Sequence, residues 1–148
     1  MRRVALGSAV LVTAAVLAAA AFALVRPDDS GERCFAHDGE AAIAACTRAI
    51  QSGRFSGSEL ASIHENRAIE LRQQGEFDRA IADYTAAIHI DAGLPGAYAG
   101  RGLAYEGKAE ADKAKADYRK ALALAQKSDD GQWAHETARG RLEALGAN

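Results

Sequence analysis

The residues able to do chemistry are few and widely spaced. Cys34 and Cys46 are the only cysteines, with eleven residues between them. A thioredoxin-like redox site has two residues between its cysteines, and a zinc site needs further ligands that His37 alone does not supply. The remaining histidines stand at 64, 89 and 135. His64-Glu65 and His135-Glu136 each lack the second histidine, one helical turn on, that a zinc-protease helix requires. No glycine run resembles a phosphate cradle, and no spacing suggests a nucleophile beside its base. Asp129-Asp130 falls where a helix should begin, so the helix dipole explains its charge more simply than an active site does. These patterns predict no catalytic residue, no metal and no cofactor, and they turn attention to surfaces.

Composition points the same way. The 148 residues carry 18 basic against 20 acidic groups, a formal charge of −2, which gives no field to gather phosphate backbone and argues against nucleic acid as a partner. With 49% apolar residues the chain has the makeup of an ordered protein. Met1-Arg2-Arg3 opens it with positive charge, and the 22 residues from Val4 to Val25 carry none. Ala21-Phe22-Ala23 supplies the small residues that a signal peptidase needs, so cleavage after Ala23 is one reading. As a helix the same stretch would reach about 33 Å, enough to cross a bilayer. Residues 1–25 therefore read as a signal peptide or as an uncleaved anchor, ahead of a buried core helix. In either case the positive-inside rule exports the chain beyond Arg26. The expected location is the cell envelope, periplasmic and soluble after cleavage near Ala23 or anchored by residues 4–25, with membrane contact through that segment only. Cys34 follows Gly31-Glu32-Arg33, which is no lipobox. Residues 26–33 read as a polar linker. In an oxidising compartment a Cys34–Cys46 disulfide is the leading reading, ahead of free buried thiols and of redox or metal chemistry. Closing such a loop contributes on the order of 3 kcal/mol in the chain-entropy account.

The elements that position these residues are legible by self-comparison. The block Ala80-Ile81-Ala82-Asp83-Tyr84-Thr85-Ala86-Ala87-Ile88 aligns with Ala114 to Leu122 at an offset of 34, and the same offset pairs His64 with Tyr98, Ala68 with Gly102, Ile69 with Leu103 and Leu71 with Tyr105. Ala42 to Ile50 forms a further copy at an offset of 38, with four extra residues near Ser52-Gly53-Arg54-Phe55. Such a period means stacked helical hairpins. Ala68, Gly102, Ala80 and Ala114 remove bulk so that helix axes approach to about 8–10 Å. Leu71, Tyr105, Tyr84 and Tyr118 fill the space between hairpins. Gly75 reads as a helix stop and Ser56-Gly57-Ser58-Glu59 as a capping box.

This pattern resembles the tetratricopeptide repeat family. In the copy beginning at Ala61 the matching positions are His64, Arg67-Ala68, Leu71, Ala80, Tyr84, Ala87 and Asp91-Ala92. In the copy beginning at Pro95 they are Tyr98, Arg101-Gly102, Tyr105, Ala114, Tyr118, Ala121 and Gln126. Departures are Lys115 at a usually apolar site, Ala111 where Phe77 stands one repeat earlier, and a first hairpin whose opening helix has little room before Asp38. The resemblance implies an all-α fold, a short right-handed superhelical array of antiparallel helix hairpins with a C-terminal capping helix. The domain would span 34–146, with a divergent repeat at 34–60, repeats at 61–94 and 95–128, and the cap at 129–146. Trp133 is expected to pack against the third hairpin, with a partner-facing tryptophan as the alternative.

The resemblance also implies a protein-interaction module, whose partner is another protein or a peptide segment held on the concave face of the first helices. The groove residues would be Ser62, Glu65, Ile69, Arg72 and Gln73 in one repeat, and Ala99, Leu103, Glu106 and Gly107 in the next. Glu65 and Ile69 stand where some members carry a Lys and an Asn that clamp a terminal carboxylate, so such a clamp is not expected. Ile69, Leu103 and Arg72 suggest a mixed apolar and acidic segment. The rival readings are an assembly role, with oligomers formed through the terminal helices and Trp133, and thiol-redox chemistry at Cys34 and Cys46.

Overall fold

The computed structural model describes residues 29–125 and 129–147. The leader, its cleavage site near Ala23 and the linker up to residue 28 lie outside the described residues. Seven helices make up the rest: α1 (Ser30–Ala36), α2 (Gly39–Ser52), α3 (Gly57–Gln73), α4 (Phe77–Ile90), α5 (Pro95–Gly107), α6 (Ala111–Ala123) and α7 (Asp129–Ala144). Among the described residues there is no strand, and no helix is long and apolar enough to cross a membrane.

Each helix packs on its successor, so α1–α2, α3–α4 and α5–α6 form hairpins and α7 closes the stack against both α5 and α6. The odd-numbered helices also touch one another, α1 with α3 and α3 with α5, and α7 continues that series on α5. Sharp stops make the hairpins possible. At the end of α3, Gly75 takes a left-handed φ of 78°, while its own N–H bonds to the Arg72 carbonyl and the Glu76 N–H to that of Leu71. This pairing satisfies carbonyls that the helix end would leave bare. Thirty-four residues on, Ala109 adopts the same conformation at φ 60° and repeats both bonds.

Small residues set the spacing, as the sequence suggests. Ala68, Ala80, Ala87, Ala114 and Ala121 are fully buried, and a Cβ added at Gly102 would lie 2.6 Å from the Tyr118 ring. The side-chain packing falls into two clusters. The larger runs from Ile43 to Leu142 and contains Leu71, Tyr84 and Tyr118, with Tyr105 packed against it; the smaller holds Cys34, Ala45, Cys46, Ala49 and Ile63 at the N-terminal end.

Three expectations change. The segment read as a polar linker is already helical from Ser30, which is buried. Ser56 does stand at the N-cap of α3, but its hydroxyl makes no capping bond, so no capping box forms. Trp133 is 42% exposed: α7 spends its inner face on Ala134, Ala138 and Leu142 and turns the indole outward.

Candidate functional site

The odd-numbered helices present one continuous wall, and the 34-residue period assigns its rows. Glu65, Ala99 and Trp133 share one row, Ile69, Leu103 and Thr137 a second, and Gln73, Gly107 and Arg141 a third. Side chains one period apart on successive first helices face the same way because each hairpin repeats the backbone of the last.

On α3, Glu65, Ile69 and Arg72 are half-buried and Gln73 is exposed. The Arg72 Nε is buried with no hydrogen-bond partner among the described residues. Leu103 is half-buried and rests on the core. Two groove residues differ from expectation. Ala99 is fully buried, because α5 is packed among α3, α4, α6 and α7, and it offers no surface to a partner. Glu106 is already engaged: it accepts Arg141 Nε at 2.9 Å and a second bond from the same guanidinium, and the Tyr118 hydroxyl also donates to it. The bonds from Arg141 hold the Glu106 carboxyl below its ordinary range against the opposing effect of burial, and Tyr118 adds to the same effect. Burial and the bond to Glu106 push the Tyr118 phenol well above its ordinary value.

Cys34 and Cys46 are joined by a disulfide with a Cα–Cα distance of 4.6 Å, and both are fully buried. It fastens α1 to α2, and the Asn66 amide of α3 donates to the Cys34 carbonyl. Glu70 of α3 reaches back to accept the Gly39 N–H at 2.7 Å, covering the exposed start of α2.

A second polar arrangement is not evident from the sequence pattern. Arg67 donates twice to Asp83, from Nε and Nη2, each at 2.7 Å, and its Nη1 reaches the Thr47 hydroxyl of the preceding hairpin at 2.9 Å. One period on, Arg101 donates to Asp117 at 2.8 Å twice and to Thr85 at 3.0 Å. Thr47 and Thr85 donate in turn to the carbonyls of Ile43 and Ile81. Each clasp therefore ties first helix to second helix and then to the previous hairpin. The available signal is that Asp83 and Asp117 keep register between the same Ala and Tyr in both copies. Burial pushes the Asp83 carboxyl up, but the bonds from His64 and Arg67 outweigh it and hold the group below its usual range.

Among the described residues no three His, Cys, Asp or Glu side chains gather as metal ligands.

Residues 68–108 match the family model of the TPR repeat, and residues 95–128 match that of the tetratricopeptide repeat. Among solved structures, the Arabidopsis OM64 TPR domain resembles this chain with a TM-score of 0.55 and 30% identity, over 68% of this chain and 80% of that one. The second TPR domain of human RPAP3, solved by NMR in complex with the HSP70 peptide SGPTIEEVD, does so with a TM-score of 0.54 and 27% identity, over the same shares. No curated protein matches the chain in sequence.

Proposed function

Since the chain belongs to the tetratricopeptide repeat family, and is thereby a protein–protein interaction module, we propose that it docks a segment of another protein of the cell envelope on the wall formed by α1, α3, α5 and α7. The observation that carries this reading is the wall itself: half-exposed Ile69 and Leu103 occupy one row, and Trp133, 42% exposed, projects beside them from the last helix. An apolar strip open to water loses that contact when a partner covers it. The peptide complex of the RPAP3 domain supports a segment, rather than a globular surface, as the occupant. Family members of this kind typically act as scaffolds without catalysis. The envelope location rests on the charge pattern of residues 1–26 and agrees with a disulfide, which persists in oxidising compartments.

Ile69, Leu103 and Arg72 are the contacts we assign. Glu106 is not among them, because Arg141 already holds it. Photo-crosslinking in the native envelope tests the reading, with the probe at Leu103 and a control at exposed Lys120 on α6. A discrete adduct from Leu103 alone is expected. Equal adducts from both sites, or none, would overturn it.

An assembly role is favoured by one observation, the outward Trp133 on a terminal helix. Light scattering separates the two, since Trp133→Ala should dissolve an oligomer built through that helix. Thiol exchange has less support, because both sulfurs are fully buried.

A further inference from the structure

We propose that the wall begins in an N-terminal cleft that takes an aromatic or large aliphatic side chain flanked by lysine or arginine, carried on an extended segment of another protein. This rests on the docking function proposed for the wall and specifies the chemistry of its occupant.

The cleft has a volume of about 420 Å³ and lies between α1, the turn after α2 and the start of α3. Phe35 and Phe55 make its apolar surface, with the fully buried Ile63 beneath them. Phe35 is 54% exposed, more than any other large apolar side chain among the described residues. Its register places it on the wall: Phe35, Arg72 and Glu106 each stand one residue before the end of α1, α3 and α5. Gly31 lets the Phe55 ring lie directly on α1, since a Cβ there would fall 2.6 Å from the ring. The walls are held in place from behind, by the disulfide and by the bond from Asn66 to the Cys34 carbonyl.

Charge selects the occupant. The charged lining residues are Asp29, Glu32, Glu59 and Arg54, three carboxylates against one guanidinium. Asp29 pairs with Arg33 at 2.9 Å, which leaves Glu32 and Glu59 against the single guanidinium of Arg54. Glu32 and Glu59 therefore set the sign of the rim, and they favour a cation beside the apolar side chain. This reverses the acidic preference that Arg72 alone suggests. Trp133 at the far end of the wall also has an acidic neighbour, Glu136, three residues on along α7.

Fluorescence anisotropy with the full chain tests the proposal, using labelled Gly-Ser peptides that carry Lys-Trp-Lys, Glu-Trp-Glu or Lys-Ala-Lys at their centre. The first should bind about tenfold more tightly than either of the others, and Phe35→Ala should remove that advantage. The pair Glu32→Lys and Glu59→Lys should shift the preference toward Glu-Trp-Glu, a gain that misfolding cannot produce. Equal affinity for the three peptides overturns the proposal. So does a preference that survives Phe35→Ala but is lost in Leu103→Asp, which would leave docking on the wall intact and place it away from the cleft. Oligomers that Phe35→Ala dissolves would assign the cleft to a second copy of the chain and overturn it as well.

Discussion

In α3–α4 and α5–α6, the place two residues before the end of the first helix holds Leu71 or Tyr105, and the middle of the second helix holds Tyr84 or Tyr118. In α1–α2 the same two places hold Cys34 and Cys46, joined covalently. The later hairpins add an arginine–aspartate clasp; in the first, Ala45 stands 38 residues before Asp83, so the carboxylate that such a clasp needs is missing there. The difference follows from length. A helix of seven residues such as α1 is below what propagates in water and brings little apolar area to the stack. A cross-link, which acts largely on the unfolded chain, stabilises the hairpin without needing that area. Where both helices are full length, large side chains and a buried ion pair close the hairpin instead.

The clasp gives the largest expected effect. Asp117→Ala leaves the Arg101 guanidinium largely buried and without its carboxylate, and should cost about 3 kcal/mol in urea unfolding. Asp83→Ala should cost at least as much, because His64 Nδ1, 2.9 Å from Asp83 Oδ1, loses its partner too. The double change Arg101→Met with Asp117→Leu removes both charges and should return to within about 1 kcal/mol of the parent. A cost below about 1 kcal/mol for Asp117→Ala would mean that packing alone closes the later hairpins, and the contrast between ionic and covalent closure would lose half its content.

The disulfide comes next. Replacing both cysteines by serine should cost on the order of 2–3 kcal/mol by loop closure, with a loss that is local. Hydrogen exchange should accelerate in α1 and α2 and stay unchanged in α5, α6 and α7, because the sulfurs belong to the smaller N-terminal cluster. If protection falls equally along the chain, the first hairpin is a cooperative part of the array and the two regions are not separable. The same variant sharpens the binding proposal, since the cleft should lose its affinity while crosslinking at Leu103 persists.

Legibility in the sequence depends on whether the information repeats. The offset of 34 reveals the hairpins, and the small residues at 68, 80, 102 and 114 reveal their close approach, because steric demand recurs at every copy. The α1 helix is hidden because its residues from Ser30 to Arg33 are polar and breaker-rich; burial of Ser30 and the fixed Cys34 make it helical. The clasp is hidden because a charged residue in a sequence is ordinarily solvent-facing, and only the arginine 16 positions away makes its burial tolerable. The period assigns Ala99 and Glu106 to the wall, but a row assignment cannot tell an open position from one that neighbouring helices cover or that Arg141 occupies. Trp133 departs for the same reason in reverse, since apolar character predicts burial only where a neighbour exists to bury against.

The smallest effect belongs to the contact between α7 and the wall. Glu106 has a carboxyl held below its ordinary value in the folded state, chiefly by the hydrogen bonds from Arg141. A depressed carboxyl stabilises the fold above its unfolded value, near 4.3 for glutamate, and that contribution is lost as pH falls through the lower folded value. The loss should stay below about 1 kcal/mol, because Arg141 is nearly half exposed and solvent screens the pair. Trp133, the single tryptophan, lies on α7 and reports its docking. Acid titration from about pH 5 to pH 3 should shift its emission before the global transition, and raising the salt should weaken the pair and move that shift to higher pH. Glu106→Gln cannot titrate, so its trace should lose the early step. An unchanged early step in Glu106→Gln would show that α7 is held by Ala134, Ala138 and Leu142 alone, and the end of the array would then be closed by packing only, without the ion pairing that the middle uses.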